Sequence, residues 1–295
     1  MNKGIIYAIL AYGLWGFLPI YWKTIDEVPA SQILSHRIIW SFIFLMVIIY
    51  FRKDWLAFRT AIQSNRTISI FSAAAVLISV NWLTYIWAVN AGFIVETSLG
   101  YFINPLISVL LGMIFLKEKL RPLQWAPVGL AFAGVLYLTF SYGVLPWISL
   151  VLAFTFGLYG LIKKTAPLNS LHGLSLETGI LFLPALFFLI FAESHGTGSL
   201  GHTGWSTGLL LVFTGIVTAL PLLLFANAAR RINLSTLGIL QYLAPTIQFL
   251  IGVILYGEPL TTSRLIGFTF IWAALILYSL ENFYMRRKST LSLPA

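Results

Sequence analysis

No cysteine occurs in the 295 residues, so disulfides, thiolate catalysis and Cys-ligated metals are excluded. Charge is nearly as scarce. Asp, Glu, Lys and Arg make up 9% of the chain, against about 25% in a soluble domain. A chain this long with so few charges cannot build a water-facing surface. Enzyme signatures are missing as well: there is no HExxH, no G-x-S-x-G, no acid cluster of the kind that holds Mg²⁺ and no nucleotide-binding loop. Of the 4 histidines, His172, His195 and His202 fall in or beside loops. The sequence therefore implies no enzyme and no cofactor, and any uphill work must draw on an ion or substrate gradient.

What is present is apolar. Hydrophobic residues make up 59% of the chain and the mean hydropathy is +0.91, so lipid must cover the outside. The net charge of +9 does not indicate a nucleic-acid partner. Its basic residues sit in short clusters between apolar segments, where orientation in a membrane explains them. The first apolar segment starts at Gly4 with almost no basic lead and no cleavage site, which reads as a retained helix.

A spanning helix needs roughly 20 apolar residues. Ten segments qualify: 4–22, 31–51, 67–89, 93–116, 123–141, 144–162, 173–192, 206–226, 233–256 and 264–284. The longest polar connections, 52–66 and 193–205, are too short to fold as domains. Placing the N-terminus in the cytoplasm puts all but Lys23, Arg37 and Arg264 of the 18 Lys and Arg on the inner side. Both termini are then cytoplasmic.

The stretch 99–120 aligns without gaps on 239–260, pairing Pro105 with Pro245, Gly112 with Gly252 and Glu118 with Glu258. Basic residues follow the fourth segment (Lys117, Lys119, Arg121) but precede the ninth (Arg230, Arg231). Five segments per half is odd, so the second copy must enter the membrane upside down. The expectation is an all-α integral membrane protein of ten transmembrane helices in two inverted five-helix repeats, 1–142 and 143–284, with a basic cytoplasmic tail at 285–295. Inverted repeats of this kind recur in secondary transporters, with the substrate near the midplane.

The runs HRIIWS (36–41), NWLTYIWAVNAG (81–92), ETSLGYFINPLISVLLG (96–112) and LGILQYLAPTIQFLIGVILYGEPL (237–260) together resemble the RarD group. That group belongs to the EamA branch of the drug/metabolite transporter superfamily. The resemblance covers essentially the whole chain. It implies a bacterial cytoplasmic membrane and a carrier or exporter of small metabolites or drugs.

Ionisable groups within lipid are functional candidates by default, because each costs at least about 2.5–3.5 kcal/mol to insert. His36 and Arg37 lie a turn or two into the second segment, and Glu96 about a turn into the fourth, all from the outer side. A Glu96–Arg37 pair is plausible, either as a gate or proton-responsive acid, or as an ion pair that locks helices. His36 titrates near neutrality when free, yet a lone histidine at a helix end is more often simply hydrogen-bonded. Glu177, the counterpart of Arg37, either pairs with Lys163 or Lys164 or answers a substrate from inside. Glu118 and Glu258 end their segments, solvated or capping neighbouring helices.

Polar and aromatic residues at helical spacing mark the cavity faces. Asn81 and Tyr85 share one stripe, as do Glu96, Gly100 and Asn104, with Tyr101 at the edge. Gln241 and Gln248 flank Pro245. Pro105 and Pro245 each free a carbonyl, giving two kinked helices that face each other across a wet cleft. The alternative is that the prolines shape packing and the amides join helices. Trp15, Trp82 and Tyr159 lie well inside their segments, able to stack on a ligand ring or cation. Trp22, Trp55, Trp125, Trp147 and Trp205 sit at segment ends and read as interfacial belt. The pairs Gly13/Gly16 and Gly157/Gly160 let helices approach closely. A neutral Asn/Gln/aromatic set of this kind suits amphiphilic or zwitterionic small molecules, with protons a candidate coupling ion.

Overall fold

The computed structural model describes residues 2–90, 94–142, 147–257 and 262–291; the side chains of Glu96 and Arg264, among others, and the whole of Glu258 lie outside that description. All regular structure among the described residues is helical. In a bilayer this is forced, because backbone polar groups find no water and must be paired within the segment.

The helices are α1 (Lys3–Lys23), α2 (Ala30–Phe51), α3 (Trp55–Ala61), α4 (Asn65–Asn90), α5 (Ile94–Leu116), α6 (Trp125–Tyr142), α7 (Trp147–Thr165), α8 (Ser170–Ser194), α9 (Trp205–Ala229), α10 (Leu234–Gln241), α11 (Leu243–Ile254) and α12 (Thr262–Leu291). Side-chain caps open α1 and α8, among others: Asn2 accepts from the Gly4 amide at 2.9 Å, and Asn169 accepts from the His172 amide at 2.8 Å. Among the described residues, 8 helical stretches are long and apolar enough to cross a membrane, counting Leu234–Ile254 as one. Two shorter apolar stretches, Gly100–Leu116 and Leu265–Glu281, lie within α5 and α12. The chain is a multi-pass membrane protein.

Three elements differ from the sequence reading. The connection 52–66 contains α3, which exposes Trp55 and Leu56 and buries Phe58 against the His172 ring, 5.6 Å away. The last helix continues past Tyr284 to Leu291, so the basic tail begins as helix. And the ninth segment is two helices, interrupted at Tyr242. There Pro245 offers no N–H to the Gln241 carbonyl, and the Tyr242 amide turns instead to the Ile239 carbonyl at 3.3 Å. Pro105 has the same deficit, yet α5 runs through it without a break.

Nine helix pairs build the bundle: α5 lies on α7 and α10, α1 on α9 and α11, α2 on α8 and α9, α4 on α7 and α8, and α6 on α12. Tyr12, Tyr159, Tyr242 and Phe225 are fully buried between helices, whereas Phe17, Phe140 and Phe187 stand exposed toward lipid. Small residues set the closest crossings. A Cβ at Gly16 would lie 2.7 Å from Ile247, and one at Gly157 would lie 2.8 Å from Ile107. At Gly13 it would meet nothing within 4 Å, so that glycine has no part in the packing. The tightest glycine crossing between two described helices is Gly215 of α9 against the Trp40 backbone of α2, where a Cβ would come within 2.4 Å. The Ser41 hydroxyl donates to the Gly215 carbonyl at 3.1 Å in the same crossing.

Gly215→Ala must push two backbones apart and is expected to cost about 1–3 kcal/mol. Gly13→Ala should leave stability unchanged or slightly raised. Thermal unfolding of the two detergent-purified variants checks the contrast.

Candidate functional site

Helices α1, α2, α4, α5, α7, α9, α10 and α11 enclose one cavity, with about 110 Å³ open to the centre of a water molecule. A single water needs roughly 10–15 Å³ on that measure, so the space admits a small molecule rather than a chain. Trp15, Asn81, Trp82, Tyr85, Tyr101, Asn104, Gln241 and Gln248 all line it, from four different stretches of sequence. Pro245 lines it too, beside the interruption at Tyr242. Pro105 is buried deeper: its carbonyl fills the place where a Cβ on Gly238 would sit, 2.7 Å away, and α10 thereby rests on α5.

Most of the polar groups are held in place. The Asn81 amide donates to the Leu152 carbonyl and the Thr155 hydroxyl, each at 2.9 Å. Gln248 donates to the Trp15 carbonyl at 3.1 Å, tying α11 to α1. The Tyr85 and Tyr101 rings meet edge-on at 5.7 Å. Two lining groups are not satisfied: the Tyr12 hydroxyl and Asn104 Oδ1 are buried without a partner among the described residues. A buried polar atom left unpaired costs free energy, so these two are poised for water or a ligand.

Arg37 contributes a charge to the lining. Its Nε donates to the Thr218 hydroxyl at 2.9 Å, and its guanidinium carbon stands 4.9 Å from the Trp22 ring centre and 4.5 Å from that of Trp82. Cation–π contact and one hydrogen bond therefore fix its orientation. The expected partner, Glu96, has its backbone in α5, but its side chain lies outside the described residues.

Three sequence candidates lie elsewhere. Tyr159 does not line the cavity. It is fully buried, and its hydroxyl donates to Glu177 Oε2 at 3.0 Å. Glu177 in turn pairs with Lys163 at 2.6 Å, both residues being almost inaccessible. Of the two lysines considered for that partnership, Lys163 takes it, while Lys164 donates to the Ala229 and Ile232 carbonyls at the end of α9. His36 is buried on α2, outside the lining, with Nδ1 unpartnered among the described residues. Glu118 caps a neighbouring helix: it accepts from the Leu234 and Ser235 amides at 2.7 and 2.9 Å, where α10's orphan donors and dipole favour an anion.

Sequence reasoning missed Tyr12, Trp22, Thr218 and Phe156 in the lining. Trp22, read as interfacial belt, instead covers Arg37. The signal was available, since Tyr12, Trp15, Pro19 and Trp22 follow at helical spacing on one stripe of α1. Thr218 and Phe156 carry no such pattern.

The EamA-like transporter family matches residues 2–140 and again 145–280. The chain belongs to that family. The Bacillus subtilis protein named "Uncharacterized transporter YojE" is 48% identical over 98% of this chain and 97% of its own. The Escherichia coli protein named "Protein RarD" is 43% identical over 98% of each. One solved crystal structure, 17% identical, superposes with a TM-score of 0.70 over 94% of this chain and 97% of that one, which shows a shared fold. Within this EamA-like bundle, the buried Lys163–Glu177–Tyr159 cluster stands apart from the cavity.

Glu177→Gln leaves Lys163 buried without a counter-charge and is expected to destabilise by about 3–5 kcal/mol. The double substitution Lys163→Met with Glu177→Leu removes both charges and should recover most of the loss. Unfolding midpoints of the single and double variants test this.

Proposed function

We propose that the chain is a secondary carrier, an exporter of small metabolites or drug-like molecules, working by alternating access in a bacterial cytoplasmic membrane. The observation that carries this is the cavity itself. It lies between helices of both halves of the chain and holds buried polar groups with no partner among the described residues. It is next to the contact in which the Tyr242 hydroxyl donates to the Phe102 carbonyl at 3.1 Å, across 140 positions. That separation equals the repeat offset, which supports a pseudo-two-fold axis running between two equivalent residues.

The packing pattern supports ten segments in two halves. Numbering the segments in order, with α3 left out and α10 and α11 counted as one, the main packings recur when every segment is exchanged for the one five places on. The α5–α7 packing becomes α1 on α11, the α1–α9 packing becomes α4 on α7, and the α2–α9 packing becomes α4 on α8. The two family matches fall on the same halves. Charge placement supports an inverted second half with both termini in the cytoplasm.

In this arrangement the described conformer is closed on the cytoplasmic side. Lys164 holds the end of α9, Arg230 donates to the Ala166 and Leu168 carbonyls beyond α7, and Glu118 holds the start of α10. These contacts must release for the cavity to open inward. Proton coupling falls to Glu96, on the same α5 stripe as Gly100 and Asn104. The inaccessible pairing of Glu177 with Lys163 supports a helix-locking part for that acid.

Flux into proteoliposomes tests the carrier, using amino acids, related metabolites and chloramphenicol with and without an imposed pH gradient. Wild type should show saturable flux that follows the gradient, and Glu96→Gln should keep exchange while losing the gradient dependence. Gradient dependence unchanged in Glu96→Gln would exclude that acid. No flux of any compound by folded protein would move the reading to a non-transporting membrane scaffold.

A further inference from the structure

The cavity's chemistry narrows the ligand. Arg37 has five N–H donors in a flat fork, and the Nε–H is spent on Thr218. The four on its terminal nitrogens make no hydrogen bond to any described residue, and no described carboxylate lies within ion-pair distance of them. Trp22 and Trp82 rest against the guanidinium, so the hydrogen bond and the rings together restrain how it turns. A half-buried charge on a membrane-spanning helix, with most of its donors unspent, is expensive unless something arrives to pair with it. The fork's two terminal nitrogens match the two oxygens of a carboxylate.

The rest of the lining suits the body of such a molecule. Trp15, Trp82 and Phe156 supply ring surface, and Leu152 and Leu222 supply aliphatic surface. Asn104 Oδ1 is an acceptor without a donor. We propose that the substrate is an amphiphilic organic carboxylate: its carboxylate docks on the Arg37 fork and its ring or alkyl body lies on the aromatic wall. A hydroxyl or amine of the same molecule would satisfy Asn104. This rests on the carrier reading and deepens it, since a neutral drug-like molecule would leave the guanidinium unpaired.

A residue within the chain that could occupy the fork instead is Glu96, on the same helix as Gly100 and Asn104. The test therefore compares acids with their amides, which lack the carboxylate charge, the two amine-free pairs being free of any other charge. Calorimetric titration of the detergent-purified full chain would use 3-phenylpropionate against 3-phenylpropanamide, phenylalanine against phenylalaninamide, and hexanoate against hexanamide. Wild type should bind at least one acid about tenfold or more tighter than its amide, the scale expected of a charge-assisted pair. Arg37→Gln should bring that ratio close to one. Arg37→Lys, which keeps the charge but loses the fork, should fall between. Because the readout is a ratio measured on one preparation, partial unfolding of a variant does not mimic it.

Equal binding of acids and amides by wild type, or binding of amides alone, would overturn the proposal. So would an acid preference that survives Arg37→Gln. A preference that appears only in Glu96→Gln would place the fork on Glu96 and overturn it too. Counterflow of the same compounds separates the two levels. Selective binding of an acid that is never transported would leave the anion site standing and remove the carrier. Saturable transport of a neutral compound, indifferent to Arg37→Gln, would do the reverse.

Discussion

The hydrogen bond from the Tyr242 hydroxyl to the Phe102 carbonyl ties the α10/α11 break to α5 at the cavity's edge. A helix interrupted inside a membrane needs its freed backbone groups satisfied by protein or enclosed water, because lipid offers neither. The interruption between α10 and α11 is enclosed by protein and rests on α5, with Gly238 against the Pro105 carbonyl and Tyr242 fully buried beside it. The same junction borders the cavity. The irregular backbone, the contact of α5 with α10 and α11, and the cavity therefore share one place, which is where the proposed repeats would put a site.

Charges elsewhere follow the same economy. Lys164 and Arg230 each donate to carbonyls at or just beyond the end of the other's helix, and Glu118 takes the first amides of α10. Each contact satisfies groups a helix end would otherwise leave bare. Each also joins segments that the proposed alternating access would have to separate. Arg37 differs in kind, being restrained by aromatic faces and one hydroxyl at the cavity wall.

Much of this was legible in the sequence, because lipid imposes a simple rule on it. Segment positions followed from apolar length alone, and the start of every observed long helix lies within a few residues of its reading. The stripes Asn81/Tyr85, Gly100/Asn104 and Gln241/Gln248 do converge, since helical spacing fixes which residues share a face. What spacing cannot fix is which neighbour a face meets. Tyr159 has the same sequence surroundings as Trp15, yet Trp15 reaches the cavity and Tyr159 is claimed by Glu177. Trp22 sits at a helix end like the belt tryptophans, and only the approach of α2 with Arg37 turns it inward. The position of the α10/α11 break was likewise hidden. Pro105 and Pro245 pose the same deficit, and tertiary packing decides that one helix continues and the other does not.

The central claim is that this cavity is reached from both sides of the membrane in turn. A single cysteine at Gln241 tests it directly, because the chain has no other. A membrane-impermeant maleimide would be applied to intact cells and, separately, to inverted vesicles, with and without a pH gradient. The account predicts labelling from either face, with the balance between faces shifting when the gradient is imposed. Labelling confined to one face under every condition would contradict it, leaving a fixed pocket rather than a carrier.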